Sequence, residues 1–232
     1  MKTLRVAPEP EQIELSIKLR HFITDWLSAQ RKFVAGVPYR LHELTAIQPQ
    51  DISMSYANSL GDASCTCRLF GGAGSIVLNA DTLNLSFANV TRPAYEVVFE
   101  AIRRGWEFLA SEFPDNGVAW FSLHSSQDVA TSDDAAVDTY LGQFAHEGAV
   151  AVTEQEPGIR YRPSIRVTFK EHDRRWQLHR SVEESTSLAK GLFVTTSIYM
   201  PESELEAFGG LEQAVARLHA MADRAVGLHR GD

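Results

Sequence analysis

The chain has 232 residues, thirty of them acidic and twenty-two basic, for a net charge of −8. That length and a hydrophobic fraction of 44% allow a sizeable core, in one large domain or two closely packed smaller ones, and argue against long disorder. The acidic balance works against generic nucleic-acid or anionic-membrane binding, because counterion release needs a dense positive surface. No apolar run approaches membrane-span length, and MKTLRVAPEPEQ lacks the apolar core of a signal peptide, so a cytoplasmic protein is expected.

Residues 12–20 (QIELSIKLR) put Ile13, Leu15, Ile17 and Leu19 at period two, the signature of a half-buried strand. From Phe22 the spacing turns helical through Ile23, Trp26, Leu27 and Phe33, predicting a helix over 22–34 that Gly36 and Pro38 end. Residues 52–59 and 63–70 read as a hairpin turning at Leu60-Gly61-Asp62. Gly71, Gly72 and Gly74 make the next turn, and strands over 75–79 and 82–87 follow. Cys65 and Cys67 lie two apart on one strand and share a face with Ala63 and Leu69. Neighbours so placed are poorly set to bridge each other, so buried reduced thiols are expected rather than a disulfide or a metal pair. A helix over 93–113 carries Val98, Ile102, Trp106, Leu109 and Phe113 on one face, with Glu100 four residues before Arg104 on the other.

Pro114-Asp115-Asn116-Gly117 breaks the chain and marks the expected boundary between an N-terminal half, 1–115, and a C-terminal half, 116–232. The cycle then restarts. VAWFSLH (118–124) is strand-like, and Ser132-Asp133-Asp134 opens a helix over 133–146 that Tyr140 and Phe144 dock. Strands are predicted near 149–153, 163–170, 175–184 and 191–200. A last helix spans 204–229, with Ser203 and Glu206 at capping-box spacing and Leu211, Val215, Leu218, Ala222 and Ala225 on one face.

These elements predict an α+β fold of two topologically similar halves, each β-α-β-β-β-β-α, in which a curved antiparallel sheet holds the helices. That order is similar to the saddle architecture of TATA-box-binding-protein-like and other helix-grip folds. The resemblance lies in element order across most of the chain and implies fold alone. Using such a saddle on DNA requires a basic concave face and intercalating aromatics, which a charge of −8 does not favour.

Two groups of residues are candidates for a site. In the basic stretch 159–180, Arg166, Thr168 and Lys170 share one strand face, and Arg175, Gln177 and His179 share the neighbouring one. With Arg162, the cations Arg166, Lys170 and Arg175 are candidates for binding an anion or an acidic partner; the ordinary reading of such rows is a solvated sheet face. Arg180 falls on the apolar row and needs a buried partner, for which Glu184 is the candidate. The second group is Trp120, His124, Trp176 and His179, expected to line a cavity between sheet and helix, with Asp128 four residues after His124.

No nucleophile elbow, phosphate loop or zinc-protease spacing is present, so no cofactor and no metal are expected. The function that fits is a non-enzymatic binding or assembly module that engages a protein partner or a second copy of itself. The alternative is a small-molecule-binding or enzymatic domain with a cavity near Trp120, His124 and Trp176. A weaker alternative is anion or nucleic-acid binding through the 159–180 strands.

Overall fold

Period-two alternation at the N-terminus builds one long strand, β1 (Leu4–Leu19). In the computed structural model, which describes residues 4–55, 62–131, 134–147, 150, 161–170 and 173–230, β1 lies at the centre of the sheet. Its odd-numbered side chains from Glu11 to Leu19 are buried, and the even-numbered ones face away. The strand begins nine residues before the first apolar pair that announces it, because Pro8 and Pro10 interrupt the pattern without ending the pairing to its neighbour.

α1 (Trp26–Leu41) follows, capped by Asp25, which accepts a hydrogen bond from the Ser28 backbone N–H at 3.0 Å. The predicted stop at Gly36 and Pro38 is overturned: the helix runs through both. Ala29, Phe33, Val37 and Leu41 form one continuous buried stripe at four-residue spacing. Burying Val37 and Leu41 contributes about 1.5–3 kcal/mol each, enough to offset the roughly 3 kcal/mol that an internal proline costs. Gly36 has a different task, since a Cβ there would stand 3.0 Å from the Phe108 ring. It lets α1 approach α2 (Tyr95–Glu112) closely.

Between those helices lie β2 (Ile52–Ser55), β3 (Ser64–Leu69), β4 (Gly74–Asn79) and β5 (Thr82–Val90). They pair as successive antiparallel neighbours, and β5 joins β1. After the Pro114–Gly117 turn come β6 (Val118–Ala130), α3 (Asp134–Gly142), β7 (Ile165–Lys170), β8 (Gln177–Glu184) and β9 (Gly191–Pro201). The sheet order is β2-β3-β4-β5-β1-β6-β9-β8-β7, antiparallel throughout, with β1 and β6 side by side at the centre. The protein is thus a mixed α+β fold on an open, curved antiparallel sheet. Of the expected strand at 149–153 only Val150 is described, and it is helical; the cap at Ser132-Asp133 and the turn at Leu60-Gly61 lie outside the described residues.

The predicted last helix is two helices. α4 (Leu205–Phe208) ends at Gly209 and Gly210, whose φ values of 82° and 107° break the helical path, and α5 (Leu211–Val226) follows. The spacing of Ser203 and Glu206 does not become a capping box, because Ser203 sits inside a 3-10 turn with no side-chain cap. On α5 the buried stripe is Ala214, Val215, Leu218, Ala222 and Val226; Ala225 is exposed, contrary to expectation. Gly227 then reverses the chain with φ 72°, and β10 (Leu228–Arg230) pairs in parallel with the start of β1, Leu4 opposite Leu228.

All of these helices cover one sheet face. The main core joins the odd positions of β1 to α1, α2 and α5, and Cys65 and Cys67 are buried in it. A second, smaller core gathers Val129, Val182 and Val194 under Tyr140 and Leu141 of α3. The Phe33 ring meets Phe108 edge-on at 6.0 Å and is wholly buried. Replacing Phe33 with alanine is expected to destabilise the fold by about 3–5 kcal/mol, read as a lower urea midpoint at unchanged slope.

Candidate functional site

The two cores are separated by polar side chains at positions where the alternation calls for apolar ones. On β1 this is Glu11, on β6 Ser125 and Gln127, on β9 Thr196 and on β8 Arg180, all at most 4% exposed. The register lines them up: Glu11 stands opposite Gln127, Ser125 opposite Thr196, and Thr196 opposite Arg180. A buried polar row therefore crosses four strands at right angles to them.

Each member raises the question of where its polar atoms find partners. Arg180 Nη1 donates to Thr196 Oγ1 at 2.6 Å. Its Nη2 donates to the His219 carbonyl at 3.5 Å and forms an ion pair with Asp223, both on α5. Glu184, the expected partner, instead takes Arg162 at 2.8 Å. The correction has a simple cause: at the end of β8 Glu184 lies beyond the covered core, whereas one face of α5 passes directly over Arg180. Nearby, Tyr140 donates to the Val226 carbonyl at 2.5 Å. Burial pushes its phenol well above the usual range; Arg180 opposes that shift and Asp223 adds to it. Gln127 Nε2 donates to the Glu9 carbonyl, and the Tyr95 hydroxyl donates to Glu11 Oε2.

Above this row α2 and α5 stand apart and leave a cavity of about 630 Å³. Ile13, Leu123, Ser125 and Gln127 form its floor, Tyr95 and Phe99 one wall, and Val215, His219 and Asp223 the other. Ala216 and Ala220 on α5 border it with the smallest side chains, which keeps the mouth open. The volume lies in the range of small-molecule sites, and so does a largely apolar lining with few polar groups.

The four residues expected to share a cavity do not share one. Trp120, His124 and His179 project from the sheet face that none of the described helices covers. There His124 shares a hydrogen bond with Ser197 at 2.9 Å, and the His179 ring stands edge-on to Tyr199 at 5.8 Å. Trp176 is buried on the opposite side, edge-on to Phe208 at 6.1 Å. Asp128 does not meet His124, since it accepts a hydrogen bond from Ser185 at 2.6 Å. Among the basic residues, Arg166 and Lys170 are exposed on the outer face of edge strand β7. Arg162 is held by Glu184 and Asp138, and Arg175 precedes β8 rather than joining its row. Arg160 lies outside the described residues. No group of three or more His, Cys, Asp or Glu able to hold a metal occurs among the described residues.

Glu11, Ser125, Gln127, Thr196 and Asp223 were absent from the sequence-based candidates. A signal for four of them exists: each continues the buried phase of a strand already recognised, where a polar side chain is an anomaly. The position of Asp223 depended on the sheet register and on how α5 crosses it. No protein-family model matches the chain, and no curated protein is similar to it in sequence.

Replacing Asp223 with alanine strands a buried guanidinium and is expected to cost about 3–5 kcal/mol, whereas Arg180→Met combined with Asp223→Leu is expected to recover most of that loss. Urea denaturation of the two variants checks it.

Proposed function

We propose that the protein is a non-enzymatic binding module of the cytoplasm whose central cavity takes a small molecule with an apolar body and a polar end. One observation carries this reading: the open space between α2 and α5 sits over a buried polar row instead of being filled by core side chains. A space that core side chains do not fill offers dispersion contacts to an apolar body, and the polar row beneath it offers hydrogen bonds to a polar end, so an occupant of matching chemistry gains on both counts. The location rests on two thiols, Cys65 and Cys67, that burial pushes up to about 11 and that suit a reducing compartment. No helix among the described residues is long and apolar enough to cross a membrane.

The strand order also supports reading the chain as two related halves, 1–115 and 116–232, in a saddle. From the centre outward β1, β5, β4 and β3 are mirrored by β6, β9, β8 and β7.

A second reading, docking of a protein partner or a second copy, draws on the sheet face that none of the described helices covers. Trp120 and Tyr199 are exposed there beside one another, Ser122 pairing with Tyr199 and Trp120 with Pro201. Anion or nucleic-acid binding draws on less, since of the four proposed cations only Arg166 and Lys170 stand together on the outer face.

The cavity reading is tested with N-phenyl-1-naphthylamine, a neutral apolar fluorophore. Wild-type protein is expected to enhance its fluorescence with saturation at one dye per chain. Ser125→Leu, which fills the floor, and Ala216→Trp, which covers the mouth, are each expected to weaken uptake about tenfold or more. Equal uptake by both variants removes this reading. For the second, Trp120→Ser with Tyr199→Ser is expected to convert any self-associated species to monomer in sedimentation analysis; a wild type that sediments as monomer at all concentrations counts against self-association.

A further inference from the structure

We infer that the cavity selects ligands carrying an organic ammonium group, with Glu11 as the carboxylate that receives it. This rests on the cavity being a ligand site and names the chemistry of the ligand.

Glu11 is 3% exposed, and among the described residues Tyr95 donates to it, on Oε2. Its Oε1 has no partner among the described residues. Ser125, also 3% exposed, likewise has a hydroxyl with no partner among the described residues. Both line the cavity. Glu11 is opposite Gln127 and Ser125 is opposite Ile13, so the two are diagonal neighbours on adjacent strands. That places them about 7–8 Å apart, and an ammonium between them reaches both acceptors with two of its three N–H donors.

The charges around the space agree. The buried guanidinium of Arg180 is engaged by Asp223, Thr196 and the His219 carbonyl. At the mouth Glu9 and Glu212 outnumber Arg92, all three exposed. With the Arg180–Asp223 pair neutral overall, the lining is net negative. A carboxylate withdrawn from water and held by one hydrogen bond is poorly compensated. A cation restores that compensation through a charge-assisted hydrogen bond, while an anionic ligand adds a second uncompensated charge. The apolar walls, with Phe99 and Val215 facing each other across the space, suit a hydrocarbon or aromatic body.

The test is calorimetric titration of n-octylamine, 1-octanol and octanoate into wild type, Glu11→Gln and Tyr95→Phe at neutral pH. In wild type the amine is expected to bind about tenfold or more tightly than the alcohol, and the carboxylate more weakly than either. Glu11→Gln keeps an acceptor for Tyr95 and should bring amine and alcohol to equal affinity. Tyr95→Phe removes the competing donor and should strengthen amine binding while leaving the alcohol unchanged. An amine no tighter than the alcohol in wild type, or an amine preference that survives Glu11→Gln and is indifferent to Tyr95→Phe, overturns the inference while leaving the cavity reading standing. Failure of all three ligands and of the neutral fluorophore to bind takes down both.

Discussion

Arg180 is a full positive charge in the middle of a sheet face that three helices cover, and its removal from water has to be met inside the protein. The cost of burying an ion is repaid only where geometry and further hydrogen bonds are good. Here an ion pair to Asp223, the Thr196 hydroxyl and the His219 carbonyl supply them. Two of those three groups come from α5, so the guanidinium fixes that helix over β8 and β9 at one rotation and one height. An apolar stripe alone tolerates a helix sliding along it. A directional pair does not. The same constraint explains the division of the interior, because a row of polar atoms between two apolar clusters keeps each from merging with the other.

The cavity follows from that placement. α2 is tied to α1 through the Gly36–Phe108 approach and to the sheet through Gly105, whose absent Cβ would meet Leu85 at 3.1 Å. α5 is tied to the other side by Arg180. Each helix is anchored away from the other, and the small residues Ala216 and Ala220 do not span the difference. The space between them is therefore a product of two independent anchors rather than of loose packing. Its floor is the polar row itself.

Much of the framework was legible because strands and helices bury alternating or four-spaced apolar side chains. β4, β5 and α2 lie close to their expected limits, and the buried row on β3 contains Cys65, Cys67 and Leu69, as alternation assigned. What was not legible depended on distant partners. Whether α1 survives Pro38 turned on the burial of Val37 and Leu41, which depends on elements distant in the chain. β10 is three residues long and exists because Leu228 reaches the start of β1. Arg180 was visible as an anomaly, but its partner lies 43 residues on, in a helix whose position the alternation does not encode. Trp120, His124 and His179 share the sheet face that the described helices leave uncovered; which face those helices cover is not encoded in the alternation, and it separates the three from Trp176.

The polar row is not distributed evenly over the sheet. It runs through β1, β6, β9 and β8, while on the far side of β1 its continuation is apolar: Glu11 stands opposite the buried Val90 of β5. Three of the four strands that carry the row, β6, β8 and β9, follow the Pro114–Gly117 turn, so core side chains are traded for polar atoms mainly in that part of the sheet. Such a trade lowers stability wherever compensation is incomplete. At Arg180 compensation is substantial. At Glu11 and Ser125 it is partial, and those two residues border the space that the helices leave open. Desolvated, half-satisfied polar atoms beside an accessible volume are the arrangement in which a ligand supplies what the fold does not.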